Sequence, residues 1–222
     1  MARLRSAALG GALALTLVTA AHAQAPDRAA ELARTVLPKD KAIAVRVPRF
    51  DKAFAERLAA DQRILALEPR HPGLTKAVAA AAHDEAVTAY DAAVGRLQVE
   101  AAQLYRTRFT PAELTQIAAF FASPTGRAMI DLSMASAGDT AAEFEADRRQ
   151  RLLAMLKDPD EQTKADLTRL IQSGLLPKIQ AINPEVSALS TRRFDDAAKL
   201  VDAALPARID ATIARFTHAE AP

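Results

Sequence analysis

Three observations predict an all-α fold. Alanine dominates the composition while glycine is sparse and aromatic residues make up only 5%, a balance that favours helix over sheet. Runs of Val, Ile and Thr bounded by turn residues, the mark of strands, are missing. Apolar residues instead recur at three- and four-residue steps, and Thr-Pro, Ser-Pro and Asp-Pro pairs punctuate them as helix starts. The expected architecture is an irregular helical bundle with one long helix over about residues 74–108 and a tight helical corner over 109–135.

The N-terminus reads as an address. Arg3 and Arg5 precede an apolar run from Ala7 to Ala20, and Ala21-His22-Ala23 is a small-x-small cleavage site, the pattern of a secretory signal peptide over 1–23. The apolar run is shorter than the roughly 18–20 residues of a membrane-spanning helix. Export to the periplasm with cleavage after Ala23 is therefore expected, with no transmembrane segment remaining. The absence of cysteine excludes lipid attachment and disulfides. Loss of Arg3 and Arg5 from the 29 basic residues balances the 27 acidic ones, which argues against nucleic acid as a partner. Arg148-Arg149 with Arg151, and Arg192-Arg193 beside Asp195-Asp196, read as solvated faces of mixed charge.

Beyond the leader, a helical domain is expected over 24–157. A first helix runs from Asp27 to Leu37. A second starts at Asp51 as N-cap and carries Phe54, Leu58 and Leu65 inward to about Leu67, with Ala42–Val47 between them as a short extended piece or a helical turn. Glu68–Gly73 (EPRHPG) is a loop. The long helix follows, its seam formed by Val87, Tyr90, Val94, Leu97, Ala101 and Leu104. Unbroken, it spans roughly 52 Å at about 1.5 Å per residue. That length requires protrusion, a covering partner or a bend near Gly95; the seam fits an intramolecular bundle, with a homodimer as the alternative.

The corner is the most explicit stretch. Thr110 is placed to cap a helix, Pro111 to occupy its first turn, and Glu113 to reach back and close a capping box, while Phe109 and Leu114 hold the two positions of a hydrophobic staple. Leu114, Ile117, Ala118 and Phe121 make an apolar stripe that Phe120 widens. Ser123-Pro124 starts a second helix at once, carrying Met129 and Ile130 inward. Gly126 in its first turn signals close approach of backbone to a neighbour. Tyr105, Phe109-Thr110, Glu113-Leu114, Phe120-Phe121 and Ser123-Pro124 with Gly126 resemble the core of the family catalogued as domain of unknown function 2059. In that family an aromatic helix end is followed by an F-T-x-x-E-L helix and an S-P-x-G helix. The resemblance implies a small, all-helical, exported bacterial protein and implies no reaction.

Asp139–Lys157 reads as an amphipathic helix with Phe144, Leu152, Met155 and Leu156 as its apolar positions. A C-terminal helical segment, 158–222, packs on or duplicates the first domain. Asp158-Pro159-Asp160-Glu161 imitates the cap and first-turn proline of Thr110-Pro111-Ala112-Glu113, and Ala165–Leu170 echoes Ala112–Ile117 in a different register, which raises a two-fold internal duplication. After Pro184, Val186, Leu189, Phe194, Leu200 and Val201 share a helix that Pro206 breaks or kinks before Ile209, Ile213 and Phe216.

Catalytic patterns are missing. His83-Asp84-Glu85 are consecutive and splay around a helix rather than share a metal, and Asp158–Glu161 lacks the glycine and downstream glutamate of a calcium loop. No G-x-S-x-G, phosphate-cradling glycine loop or H-E-x-x-H occurs. No catalytic residue, cofactor or metal is expected. The first functional expectation is a non-catalytic periplasmic protein acting through protein contacts in envelope maintenance. The alternative is a carrier or sensor of an apolar small molecule or lipid between helices, with Phe109, Phe120, Phe121, Met129, Met134 and Phe144 around it; an enzyme without a recognisable motif is third. The candidate binding residues are Tyr105, Phe109, Phe120, Phe121 and Arg127, which bracket the corner.

Overall fold

In the computed structural model, residues 27–135 and 141–218 are described. The expected leader and its expected cleavage site lie outside them, as does the side chain of Phe144. The described residues are helical throughout, joined by short turns, with no strand among them.

Helix α1 (Arg28–Val36) starts at Asp27, whose carboxylate accepts from the Ala30 N–H at 3.2 Å, and it buries Ala29, Leu32 and Ala33. Helix α2 (Lys39–Ala59) corrects the expectation for the next stretch, because it begins twelve residues before Asp51 and takes in Ala42–Val47. The reason is a continuous apolar stripe of Ile43, Val47, Phe50, Phe54 and Leu58, stepping by helical intervals across an exposed Pro48. Burying that stripe outweighs the backbone hydrogen bond that a helix-interior proline forfeits. Asp51 is thus mid-helix, and its carboxylate holds His83 Nδ1 at 2.9 Å. A new helix, α3 (Gln62–Leu67), is capped by Asp61 and resets the phase. Ile64 consequently goes inward at 1% exposure, and Leu65, expected inside, is 48% exposed.

The EPRHPG loop closes on itself through Glu68, which accepts from the N–H groups of Gly73 and Thr75 at 2.8 and 2.6 Å and from the Thr75 hydroxyl at 2.6 Å. Gly73, at φ +93°, takes the left-handed turn that this closure requires. Helix α4 (Leu74–Arg108) then runs 35 residues without interruption through Gly95.

Its covering partner belongs to the same chain. Helix α9 (Leu176–His218), 43 residues long, lies antiparallel along α4, and ion pairs mark the register. Arg108 meets Glu185 at 2.8 Å, Glu100 meets Arg193, and Glu85 meets Arg208 at 2.8 Å. Partly exposed pairs of this kind contribute little stability, about 0–1 kcal/mol each, so their use is alignment. Arg192-Arg193 is therefore not only a solvated patch, since both arginines reach across to Glu100. Pro206 does not end α9, because Val201 and Leu205 on the preceding turn and Ile209 and Ile213 beyond it pack on one cluster and hold the helix together. Leu200 faces out at 53% exposure, not inward as expected.

The corner forms as predicted. In α5 (Pro111–Ala122) the capping box is complete: Thr110 Oγ1 accepts from the Glu113 N–H at 3.3 Å, and Glu113 accepts from the Thr110 N–H at 2.8 Å. Ser123 turns the chain into α6 (Pro124–Ala135) and accepts from the Gly126 N–H at 3.2 Å. A Cβ at Gly126 would stand 2.2 Å from the Phe120 carbonyl oxygen, so glycine here is a packing requirement.

Helix α7 (Ala141–Lys157) packs on α6. Of its expected apolar positions Leu152 and Met155 are half-buried, whereas Leu156 is 37% exposed. Helix α8 (Glu161–Gln172) is capped by Asp160, which accepts from the Thr163 N–H at 2.7 Å. Asp158 is not the cap, and Pro159 precedes the helix instead of entering its first turn. The 158–222 segment contributes to both apolar clusters of the molecule. One gathers α2, α3, most of α4 and the later part of α9. The other gathers α1, the end of α4, α5, α8 and the start of α9.

Candidate functional site

Between the two clusters lies a cavity of about 410 Å³. Its walls follow from the fold: Leu32, Val36 and Leu37 at the end of α1, Ala42 and Val45 from α2, Val94, Leu97 and Tyr105 from α4. The corner supplies Phe109, Ile117, Phe120, Phe121, Met129, Ile130 and Met134, and α9 closes the far side with Ile179, Ile182, Val186 and Phe194. The space exists because the helices that surround it are fixed elsewhere. The α4–α9 pair is zipped along its length, and the rigid corner stands off from α2 on the other flank, tied to it by the Lys41–Asp131 ion pair.

Four of the five candidate residues come together there. Tyr105, Phe109, Phe120 and Phe121 line the cavity; Arg127 is exposed and does not. The corner fixes the aromatic wall. Phe120 and Phe121 meet edge to face at 5.2 Å, and Tyr105 and Phe109 lie 6.4 Å apart, spacings at which aromatic pairs attract. Tyr105 is 5% exposed, and its hydroxyl makes no hydrogen bond among the described residues. Burial pushes its phenol up to about 12.

The polar lining is one-sided in charge. Arg46, Arg49 and Arg148 border the cavity together with Ser133, Ser187, Ser190, Gln180 and Asn183, and no acidic side chain lines it among the described residues. Arg46 and Arg49 stand three apart on α2 and so share a face. The Arg46 guanidinium lies 4.2 Å above the Phe194 ring, a cation–π contact that orients it. Burial pulls its pKa below the ordinary value, the like charge of Arg49 pulls the same way, and Asp195 opposes them. Arg49 and Arg148 have interaction partners of their own, while Arg46 forms no ion pair among the described residues.

Sequence reasoning missed this cationic edge. Arg148 is half-buried and lines the cavity, in correction of its reading as part of a solvated face; Arg149 and Arg151 are exposed as expected. The pairing of Arg46 with Arg49 on one helical face was available only once Ala42–Val47 was known to be helix.

A second polar feature ties the corner to α8. Asp166, 4% exposed, accepts from the Thr125 hydroxyl at 2.7 Å and from Gln162 Nε2 at 2.9 Å, and pairs with Arg169. The Thr125 bond, followed by those from Gln162 and Ser123, holds its carboxyl below the usual range against the opposing cost of burial. Saturated with donors, it is a clasp between elements. Among the described residues no group of His, Asp and Glu is placed to hold a metal ion, and no helix is long and apolar enough to cross a membrane.

Residues 95–148 match the profile of the family described as an uncharacterized protein conserved in bacteria, domain of unknown function 2059. The matched stretch runs from the second half of α4 through the corner into α7, and so holds the aromatic wall of the cavity and Arg148. No curated protein and no solved structure gives a match.

Proposed function

We propose that the protein is a non-catalytic, exported carrier or sensor that holds an apolar molecule between its helices. The cavity between the two clusters is the observation that carries this reading. Its volume falls in the roughly 300–1,000 Å³ range of small-molecule sites, and its composition, largely aliphatic and aromatic with a few polar groups, is that of a binding pocket. The polar groups that border it are guanidiniums, amides and hydroxyls. With no carboxylate or imidazole in the described lining, they suit orientation of a ligand better than proton transfer. Export to the periplasm rests on the 1–23 leader pattern.

Native mass spectrometry of the protein isolated from its own host tests both parts. The expected result is a chain beginning at Gln24 with an added mass of a few hundred daltons that is lost on activation. A chain that retains its leader contradicts export, and a bare chain contradicts the carrier reading. Contact with a protein partner, the second reading, is favoured by Leu153 of α7 at 62% and Ile171 of α8 at 61% exposure, and a defined protein complex in the same spectrum would put it first.

A further inference from the structure

Resting on the carrier reading, we infer that the ligand is a single-chain amphiphile with a carboxylate head, of the fatty-acid kind, whose head is received by Arg46. Three observations lead there. The described lining is mostly aliphatic and aromatic, so an occupant must be mostly hydrocarbon. The charged side chains of the described lining are Arg46, Arg49 and Arg148, with no acidic residue among them, and Asp195 acts on Arg46 from outside that lining. Electrostatic complementarity therefore selects an anion and disfavours a cation, which would meet like charge in a partly dehydrated site. The third concerns Arg46 itself. Arg49 and Arg148 are already engaged, whereas Arg46 has the Phe194 ring beneath it at 4.2 Å and no ion pair among the described residues.

A guanidinium without an ion pair among the described residues suits a monoanion. Its planar fork fits the two oxygens of a carboxylate in bidentate fashion, and the ring below restricts the orientations it must give up on binding. A cavity of about 410 Å³ has room for one chain with its head at the rim. Ser187 and Ser190, on the same stretch of α9 as Phe194, also line it and offer hydroxyls to the head group.

The test compares dodecanoate with dodecan-1-ol, both below their aggregation limits, by calorimetry on the wild-type chain and on Arg46→Gln, which keeps much of the stem and removes the charge. A charge-assisted bond to the head is expected to make dodecanoate bind about ten- to a hundredfold more tightly than the alcohol. In Arg46→Gln that preference should collapse to within about threefold, with the alcohol's affinity unchanged, which also reports that the fold and cavity survive. Equal binding of acid and alcohol by the wild type would overturn the head-group assignment and leave the apolar carrier standing. A preference that persists in Arg46→Gln would overturn the role of Arg46. Binding of neither compound would overturn both the inference and the carrier reading beneath it.

Discussion

Replacing Gly126 by alanine sets two physical effects against each other. As a residue inside α6, alanine is the better helix former by about 1 kcal/mol. The added Cβ, however, would stand 2.2 Å from the Phe120 carbonyl oxygen and 2.5 Å from the Phe121 Cα, whereas ordinary contact begins at 3.4 Å. Both neighbours are backbone at the end of α5, so no rotamer change relieves the overlap. The corner must open by about 1 Å, withdrawing Phe120 from its cluster, and overpacking of that kind costs typically about 1–3 kcal/mol and occasionally more. The clash wins, and a net loss of about 1–2 kcal/mol is expected. Gly95 is the control. It lies within α4 with nothing within 4 Å of an added Cβ, so Gly95→Ala should gain up to about 1 kcal/mol from propensity alone. Urea unfolding followed by helical circular dichroism measures both. Gly126→Ala at or above wild-type stability would refute the close-packed corner, whatever Gly95→Ala does.

Three further outcomes follow from the same geometry. Burial raises the Tyr105 phenol to about 12, so its contribution to stability is fully present below about pH 10, the unfolded value, and is lost as pH rises through about 12; in Tyr90→Phe the phenolate absorbance should titrate near 12, and a midpoint near 10 would contradict its burial. The Asp166 carboxyl is depressed chiefly by the Thr125 hydroxyl, so the stability it adds is present above about pH 4 and lost as pH falls through its folded value. Thr125→Val should therefore cost about 1–3 kcal/mol and move acid unfolding to higher pH, and an unmoved acid limb would contradict the clasp. Phe109→Ala should lose about 3 kcal/mol, the low end for a buried aromatic because one side of the ring already borders the cavity, and a loss below about 1 kcal/mol in the same urea assay would contradict its packing.

Local chemistry was the legible part of this chain. The bounds of α4, the capping box of Thr110 and Glu113, and the close approach at Gly126 all follow from residues within a turn or two of one another. The four aromatic candidates could be grouped because the corner brings them together locally. What escaped depended on distant partners. Pro48 and Pro206 look like helix ends in isolation, and only the clusters beneath Val47 and Val201 carry α2 and α9 through them. The phase reset at Asp61 exchanged Leu65 for Ile64 for a similar reason, since a cap fixes helix phase more locally than periodicity can. Arg46 and Arg148 became lining of one cavity only when distant helices were assembled, and Arg127, picked for its place beside the corner, turned outward.

Occupancy of the cavity is what the account stands on, and filling it is the most direct measurement. Calorimetric titration of dodecanoate should show one site per chain with a negative heat-capacity change, the mark of apolar surface leaving water. Ser133→Trp on α6 and Ser190→Phe on α9, which intrude from two different walls, should each weaken binding at least about tenfold while leaving the helical circular dichroism intact. Undiminished binding by both filled variants would place the ligand elsewhere and contradict the account.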